Sequence, residues 1–277
     1  MSSGEALKPP AEVLAYYEKF PEESRLSSKG SGLELERTLD ILSRVLPKAP
    51  ARVLDVGGAA GVYSLWLADR GYEVHLVDAS PRLVEEARRR SAASSRPIAS
   101  LAVGDARRLP REDGSVDAVL LMGPLYHLTD ASDRLLALRE AFRVLAPRGV
   151  LVAAAISRCA SALDGLARRL SVDPRFVAIR DRDLADGQHR NQTEDLNYFT
   201  TAYFHRPEDL VQEIAATGFA GAQVLGVEGP GWILPDLEAR WKDAALKRDL
   251  LDVARALESV PSIQGASAHL LGLGRKP

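Results

Sequence analysis

Apolar positions between residues 52 and 157 follow two alternating rhythms. RVLDVG (52–57), EVHLVDA (73–79), ASLAVGD (99–105), VDAVLLMG (116–123) and GVLVAAAIS (149–157) are short aliphatic runs with turn residues at their ends, a pattern that predicts strands. Most are apolar at successive positions, as strands covered on both faces are. The intervening segments have helical punctuation. Val62 to Arg70 stops at Gly71, Ser80-Pro81 supplies an N-cap followed by proline, and Leu135, Leu138, Phe142 and Leu145 recur at helical spacing within 131–146 before Pro147. Strand and helix alternating four times predict an α/β fold with a doubly wound sheet, helices on both faces and right-handed crossovers. Two more strands, at 221–229 and 269–277, follow helices at 207–217 and 236–258 and complete a sheet of seven.

Two segments stand outside this alternation. Residues 158–206 form a polar, aromatic-containing insertion after the fifth strand, long enough to predict a lid over a site. The first 47 residues are rich in helix formers, with a Ser-Ser-Lys-Gly-Ser-Gly hinge at 27–32, and predict an N-terminal helical cap on a main domain at 48–277.

Composition narrows the class of partner. The chain has 277 residues, 36 Lys plus Arg and 38 Asp plus Glu, a net charge of −2. Such a balance offers no general field for a polyanion, so neither nucleic acid nor a membrane surface is expected as partner. Cys159 is the only cysteine, which excludes intrachain disulfides and CxxC motifs and suits a reducing compartment. No basic segment followed by an apolar run opens the chain, and no stretch nears the roughly 18 apolar residues of a membrane span. A cytoplasmic protein is expected, and a homodimer is left open.

The loop after the first strand reads Asp55-Val56-Gly57-Gly58-Ala59-Ala60-Gly61-Val62. A dinucleotide fingerprint G-x-G-x-x-G starting at Gly57 would need glycines where Ala59 and Val62 stand, and so fails. The register D-x-G-x-x-x-G fits at Asp55, Gly57 and Gly61. Asp78 ends the second strand and Asp105 the third, and Arg143-Val144-Leu145-Ala146-Pro147-Arg148-Gly149 introduces the fifth. In this order the motifs resemble those of class I S-adenosylmethionine-dependent methyltransferases, whose fold is Rossmann-like. Ala59 departs from the middle glycine of the family's first motif. Met122-Gly123-Pro124-Leu125-Tyr126-His127-Leu128 is similar to a small-molecule subgroup, and the Asp/Asn-Pro-Pro-Tyr/Phe run of nucleic-acid amine methyltransferases is absent there.

The resemblance implies S-adenosylmethionine as cofactor, S-adenosylhomocysteine as product, and methyl transfer to O, N or C of a small-molecule acceptor such as an aromatic secondary metabolite. Alternatives are a methyltransferase acting on protein or RNA and a non-catalytic adenosyl-binding protein. It further implies a cofactor site of Tyr16, Arg25, Asp55, Gly57, Gly58, Ala59, Gly61, Asp78, Ala79, Gly104, Asp105, Ala106, Met122 and Gly123. Asp78 would take the ribose hydroxyls and Asp105 the adenine amino group. His127 is the first candidate base, with a value near the ordinary 6.5, and His205, Tyr126 and Tyr17 are further catalytic candidates. Tyr198, Tyr203 and Trp232 are expected to shape the acceptor pocket. No metal is expected, because Asp181, Asp183, Asp186 and Asp195 read as a solvated loop.

Overall fold

The run RVLDV forms β1 (Arg52–Val56), whose last four residues are buried. β1 pairs in parallel with β2 (Glu73–Asp78) on one edge and β4 (Val116–Leu121) on the other. β3 (Ser100–Val103) extends the sheet beyond β2, and β5 (Leu145–Ser157) beyond β4. β9 (His269–Arg275) runs antiparallel along β5, and β8 (Ala220–Gly226) antiparallel along β9. The order β3-β2-β1-β4-β5-β9-β8 contains the seven predicted strands. The computed structural model describes residues 11–19, 32–193 and 195–277.

Helices cover both faces. On one side, α2 (Gly32–Val45), α3 (Val62–Asp69) and α4 (Pro81–Ala92) pack Ile41, Leu42, Leu67, Val84 and Ala87 against Leu76, Leu120 and Val152. On the other, α6 (Ala131–Val144) and α9 (Pro207–Ala216) pack Leu138, Ala141, Leu210 and Ile214 against Leu54, Val119 and Leu151. Each buried Leu, Ile or Val side chain among them contributes about 1.5–3 kcal/mol of burial energy, which makes these two layers the rigid base of the molecule.

Several boundaries differ from the predicted ones: β3 stops at Val103, so Asp105 lies just beyond the strand it was expected to end, and β8 stops at Gly226. α6 stops at Val144 and β5 begins at once, with Pro147 inside its first residues; the register against β4 shifts between Val116 and Ala118 to absorb that irregular start. The predicted helix 236–258 is two helices, α10 (Leu237–Lys242) and α11 (Ala244–Leu257), because the Asp243 side chain accepts from the N–H groups of Ala245 and Leu246 and starts a new helix. A short α12 (Pro261–Gln264) then leads to β9.

The insertion is more than a lid. It holds α7 (Ala160–Ala167), α8 (Pro174–Asp186) and a ribbon of β6 (Gln188–His189) against β7 (Ala202–His205). β7 pairs with the end of β5, Ile156 to Phe204 and Ser157 to His205. Ile156 already pairs with His269 of β9, so its pairing with Phe204 uses the edge along which β4 has ended. The ribbon therefore overhangs the exit of β4, where α5 (Pro124–His127) begins. α1 (Ala11–Lys19) lies near the same end of the sheet, with the Arg82 guanidinium of α4 donating to the Tyr17 carbonyl (2.6 Å).

Candidate active site

The turn from β1 into α3 is built on left-handed backbone. Gly57 has φ +74° and a Cβ there would meet Pro124 Cδ at 2.6 Å, so only glycine lets the loop lie against α5. Gly61 takes φ +81° at the start of α3. Ala59 adopts φ +46° with a side chain present, a conformation that disfavours L-residues. Its N–H donates to Asp78 Oδ2 (2.9 Å), which holds the loop to the end of β2.

Asp78 accepts the Ser80 N–H at Oδ1 (2.8 Å) as well. Burial raises its carboxyl above the ordinary value against the opposing N–H donors of Ser80, Ala59 and Ala79. Three backbone N–H groups face its roughly four lone-pair sites, so only part of the carboxylate's accepting capacity is left for a ligand. Asp55, beneath the loop, is fully buried and pushed up to about 7 by burial and by the charge of Asp78, despite the hydroxyl of Ser64 donating to it (2.7 Å).

Asp105 is engaged differently from what the motif suggests. Arg107 grips it through both guanidinium and backbone: the Arg107 N–H and Nε donate to Oδ1 (2.8 and 2.9 Å), and Nη2 to Oδ2 (2.7 Å). Burial would raise this carboxyl, but the Arg107 bonds outweigh it and the net shift is downward. A ligand donor reaches Asp105 only through the remaining lone pairs of an ion-paired carboxylate.

These strand ends surround a cavity lined by Gly57, Gly58, Ala59, Asp78, Ala79, Gly104, Asp105, Ala106, Met122 and Gly123, with Val13, Leu14 and Tyr17 of α1 on its other side. The expected cofactor set converges here with exceptions. Asp55 and Gly61 do not line the cavity and support the loop from behind. Tyr16 does not line it either: its buried ring packs edge-on against Tyr17 and Phe199. Arg25 lies outside the described residues. A backbone cradle that a Cβ would fill, beside a strand-end carboxylate that keeps some accepting capacity, fits an adenosyl group.

A second cavity adjoins the first, and Tyr17, Tyr63, Met122 and Tyr126 line both. At this boundary the His127 ring is fixed at two points. Its Nδ1 lies 3.2 Å from the Thr201 carbonyl, an oxygen that only accepts, so Nδ1 carries the hydrogen. Nε2 then accepts from the Tyr17 hydroxyl (2.9 Å). Burial lowers the ring to about 4 against the pull of Thr201, so His127 is neutral at neutral pH and the expected value near 6.5 is corrected downward.

The second cavity is walled by β5, the insertion and the turn after β8, with Phe176, Tyr198, Phe199, Phe204 and Trp232 as aromatic lining. Tyr198 and Trp232 are among this lining, the phenol donating to Asp173 Oδ2 (2.8 Å) and the indole to the Ala266 carbonyl (2.8 Å). Tyr203 and His205 do not line either cavity. The Arg134 guanidinium covers the Tyr203 ring at 3.7 Å, and His205 is fully buried with Nε2 against Glu213 (3.2 Å). Alternation along β7 explains this: Ala202 and Phe204 turn inward on the cluster beside the cavity, while Tyr203 and His205 turn the other way.

Several lining groups escaped the sequence reading. Glu34, Ser161, Asp164, His189 and His269 give the aromatic cavity its polar points. Glu228 accepts from His269 at both Nδ1 (2.6 Å) and the backbone N–H (3.0 Å). Asp183, expected in a solvated loop, is completely buried, because it shares the inner face of α8 with Phe176 and Ile179. That spacing of three and four was visible in the chain. Asp181 is exposed as expected.

A family model described as a methyltransferase domain matches residues 53–149. A demethylmenaquinone methyltransferase of Deinococcus radiodurans is 33% identical over 182 residues, 64% of this chain and 71% of that protein. One from Beutenbergia cavernae is 34% identical over 155 residues, 54% of this chain and 60% of the relative, so less than two thirds of the latter is spanned. An S-adenosylmethionine-dependent methyltransferase from Mesorhizobium loti has a similar fold, with a TM-score of 0.58 at 18% identity over 88% of this chain and all of that one (100%). No described helix is long and apolar enough to cross a membrane. Carrying the family's glycine loop and strand-end acids around one cavity, the chain belongs to the class I S-adenosylmethionine-dependent methyltransferases.

Proposed function

We propose that the protein transfers a methyl group from S-adenosylmethionine to a small aromatic acceptor held in the second cavity. The observation that carries this reading is the shared wall of Tyr17, Tyr63, Met122 and Tyr126, where the two cavities meet. When bound, the cofactor supplies an electrophilic methyl on a sulfonium. The chain's own residues position and shelter. Asp78 accepts from the ribose hydroxyls, the Gly57–Gly58 backbone lets the ligand approach closely, and α1 keeps water from the junction. Aromatic walls on the acceptor side favour a flat, largely apolar molecule, and the relatives named for demethylmenaquinone support that class.

Tyr17 and His127 are the pair placed to handle a proton. In this reading the acceptor gives its proton to the Tyr17 oxygen while the Tyr17 hydrogen passes to Nε2 of the neutral His127 ring. Incubating the protein with methyl-labelled S-adenosylmethionine and a panel of phenols, aryl amines and indoles tests the proposal. Label is expected in a flat aromatic acceptor; transfer only to protein or RNA would reject it.

A further inference from the structure

Ser161 of α7, Asp183 of α8 and His189 of β6 form a hydrogen-bonded chain behind the aromatic wall of the second cavity. Ser161 and His189 line the cavity, and Asp183 lies fully buried behind them. The His189 ring stacks on Phe204 with centroids 4.7 Å apart. Its Nδ1 is 2.8 Å from Asp183 Oδ2 and its Nε2 is 2.8 Å from the Tyr198 carbonyl. Ser161 Oγ contacts the same carboxylate oxygen at 2.5 Å.

Counting hydrogens fixes the direction of the Ser161 bond. A carbonyl only accepts, so Nε2 of His189 carries a hydrogen. One further hydrogen lies between Nδ1 and Oδ2, and whichever of the two atoms holds it, Oδ2 has none left to offer Ser161. The Ser161 hydroxyl must therefore give its only hydrogen to Asp183. Whatever Ser161 presents to the cavity is lone-pair density alone.

We infer that Ser161 is a donor-selecting subsite, which makes the acceptor class an arene carrying a hydroxyl or N–H group rather than a carbonyl or an ether oxygen. An oxygen without a hydrogen would face the Ser161 lone pairs in a cavity that Phe176, Phe199 and Phe204 also line, with no hydrogen between the two oxygens to bond them. This rests on the reading that the second cavity takes the acceptor, and it adds the polarity of the group that the cavity accepts. A site that hydrogen-bonds a donor rejects the analogue lacking it, because its own polar atom is then left unpaired.

Titrating the S-adenosylhomocysteine-saturated protein with 1-naphthol and with 1-methoxynaphthalene tests the inference. Naphthol is expected to bind on the order of tenfold more tightly. Ser161→Ala should bring the ratio close to one, and Ser161→Thr, which keeps the hydroxyl, should retain it. Unaltered S-adenosylhomocysteine affinity in both variants verifies that the fold is intact. Equal binding of the two probes to the parent protein, no binding of either, or an undiminished preference in Ser161→Ala would overturn the subsite. Failure to bind S-adenosylhomocysteine at all would instead overturn the cofactor reading and this inference together.

Discussion

His127 and Ala59 show how single positions carry the chemistry. With its ring lowered to about 4 by burial, His127 keeps its Nε2 lone pair throughout the neutral range. Turnover is therefore expected to show no His127 limb near pH 6.5; His127→Ala should lower it about 10²-fold or more while the profile between pH 5.5 and 7.5 keeps its shape. A parent limb near 6.5 that disappears in His127→Ala would contradict this placement. Ala59 sits at φ +46°, where the family's usual glycine is unstrained. Ala59→Gly should relieve strain of about 1 kcal/mol, partly offset by a more flexible unfolded chain, and give a small rise in melting temperature with cofactor affinity no weaker. Asp78 and Asp105 were picked out by the motifs that carry the family resemblance. The grip of Arg107 on Asp105 was not, because the geometry of a guanidinium two residues away depends on a turn that the motif does not specify.

At the scale of elements, the alternating strands and helices of 52–157 were readable because each strand is apolar over consecutive residues and each helix has a capping or stopping residue. β6 and β7 were not. β6 is two residues long and β7 four, too short for a period to register, and their place follows from the free edge of β5 beyond the end of β4. Of the expected N-terminal cap, 1–47, the described part includes α1, whose Val13, Leu14 and Tyr17 line the first cavity while Arg82 holds the Tyr17 carbonyl. Arg82→Ala should loosen this cover and raise the KM for S-adenosylmethionine several-fold, the equivalent of about 1 kcal/mol, with little change in melting temperature. Tyr17→Phe keeps the ring but removes the hydroxyl that His127 accepts from. Its kcat is expected to fall more than its KM changes, as steady-state kinetics on both variants would reveal.

Across the whole molecule, two rigid aliphatic layers hold one sheet whose C-terminal edge is roofed by α1 and by the insertion. The same sheet buries Asp55 at a cost. Its carboxyl titrates at about 7 in the folded protein against 3.8 ordinarily. The folded state thus holds a proton that the unfolded chain has already released, and stability should decline as pH rises from about 4 to 7 and then level off. Asp55→Asn should flatten this slope and be more stable than the parent at pH 8 by a few kcal/mol at most, roughly; chemical denaturation at pH 4.5 and 8 would measure it. An identical slope in both proteins would show that Asp55 is not its source.

The central claim is that this edge of the sheet is an adenosyl site anchored by Asp78, and calorimetric titration with S-adenosylhomocysteine, comparing the parent protein with Asp78→Ala, tests it most directly. The parent is expected to bind one equivalent and to ignore NAD. Asp78→Ala should bind more weakly by about 1.5–3 kcal/mol, the worth of hydrogen bonds to a charged group. Undiminished affinity in Asp78→Ala, or binding of NAD in place of S-adenosylhomocysteine, would contradict the account.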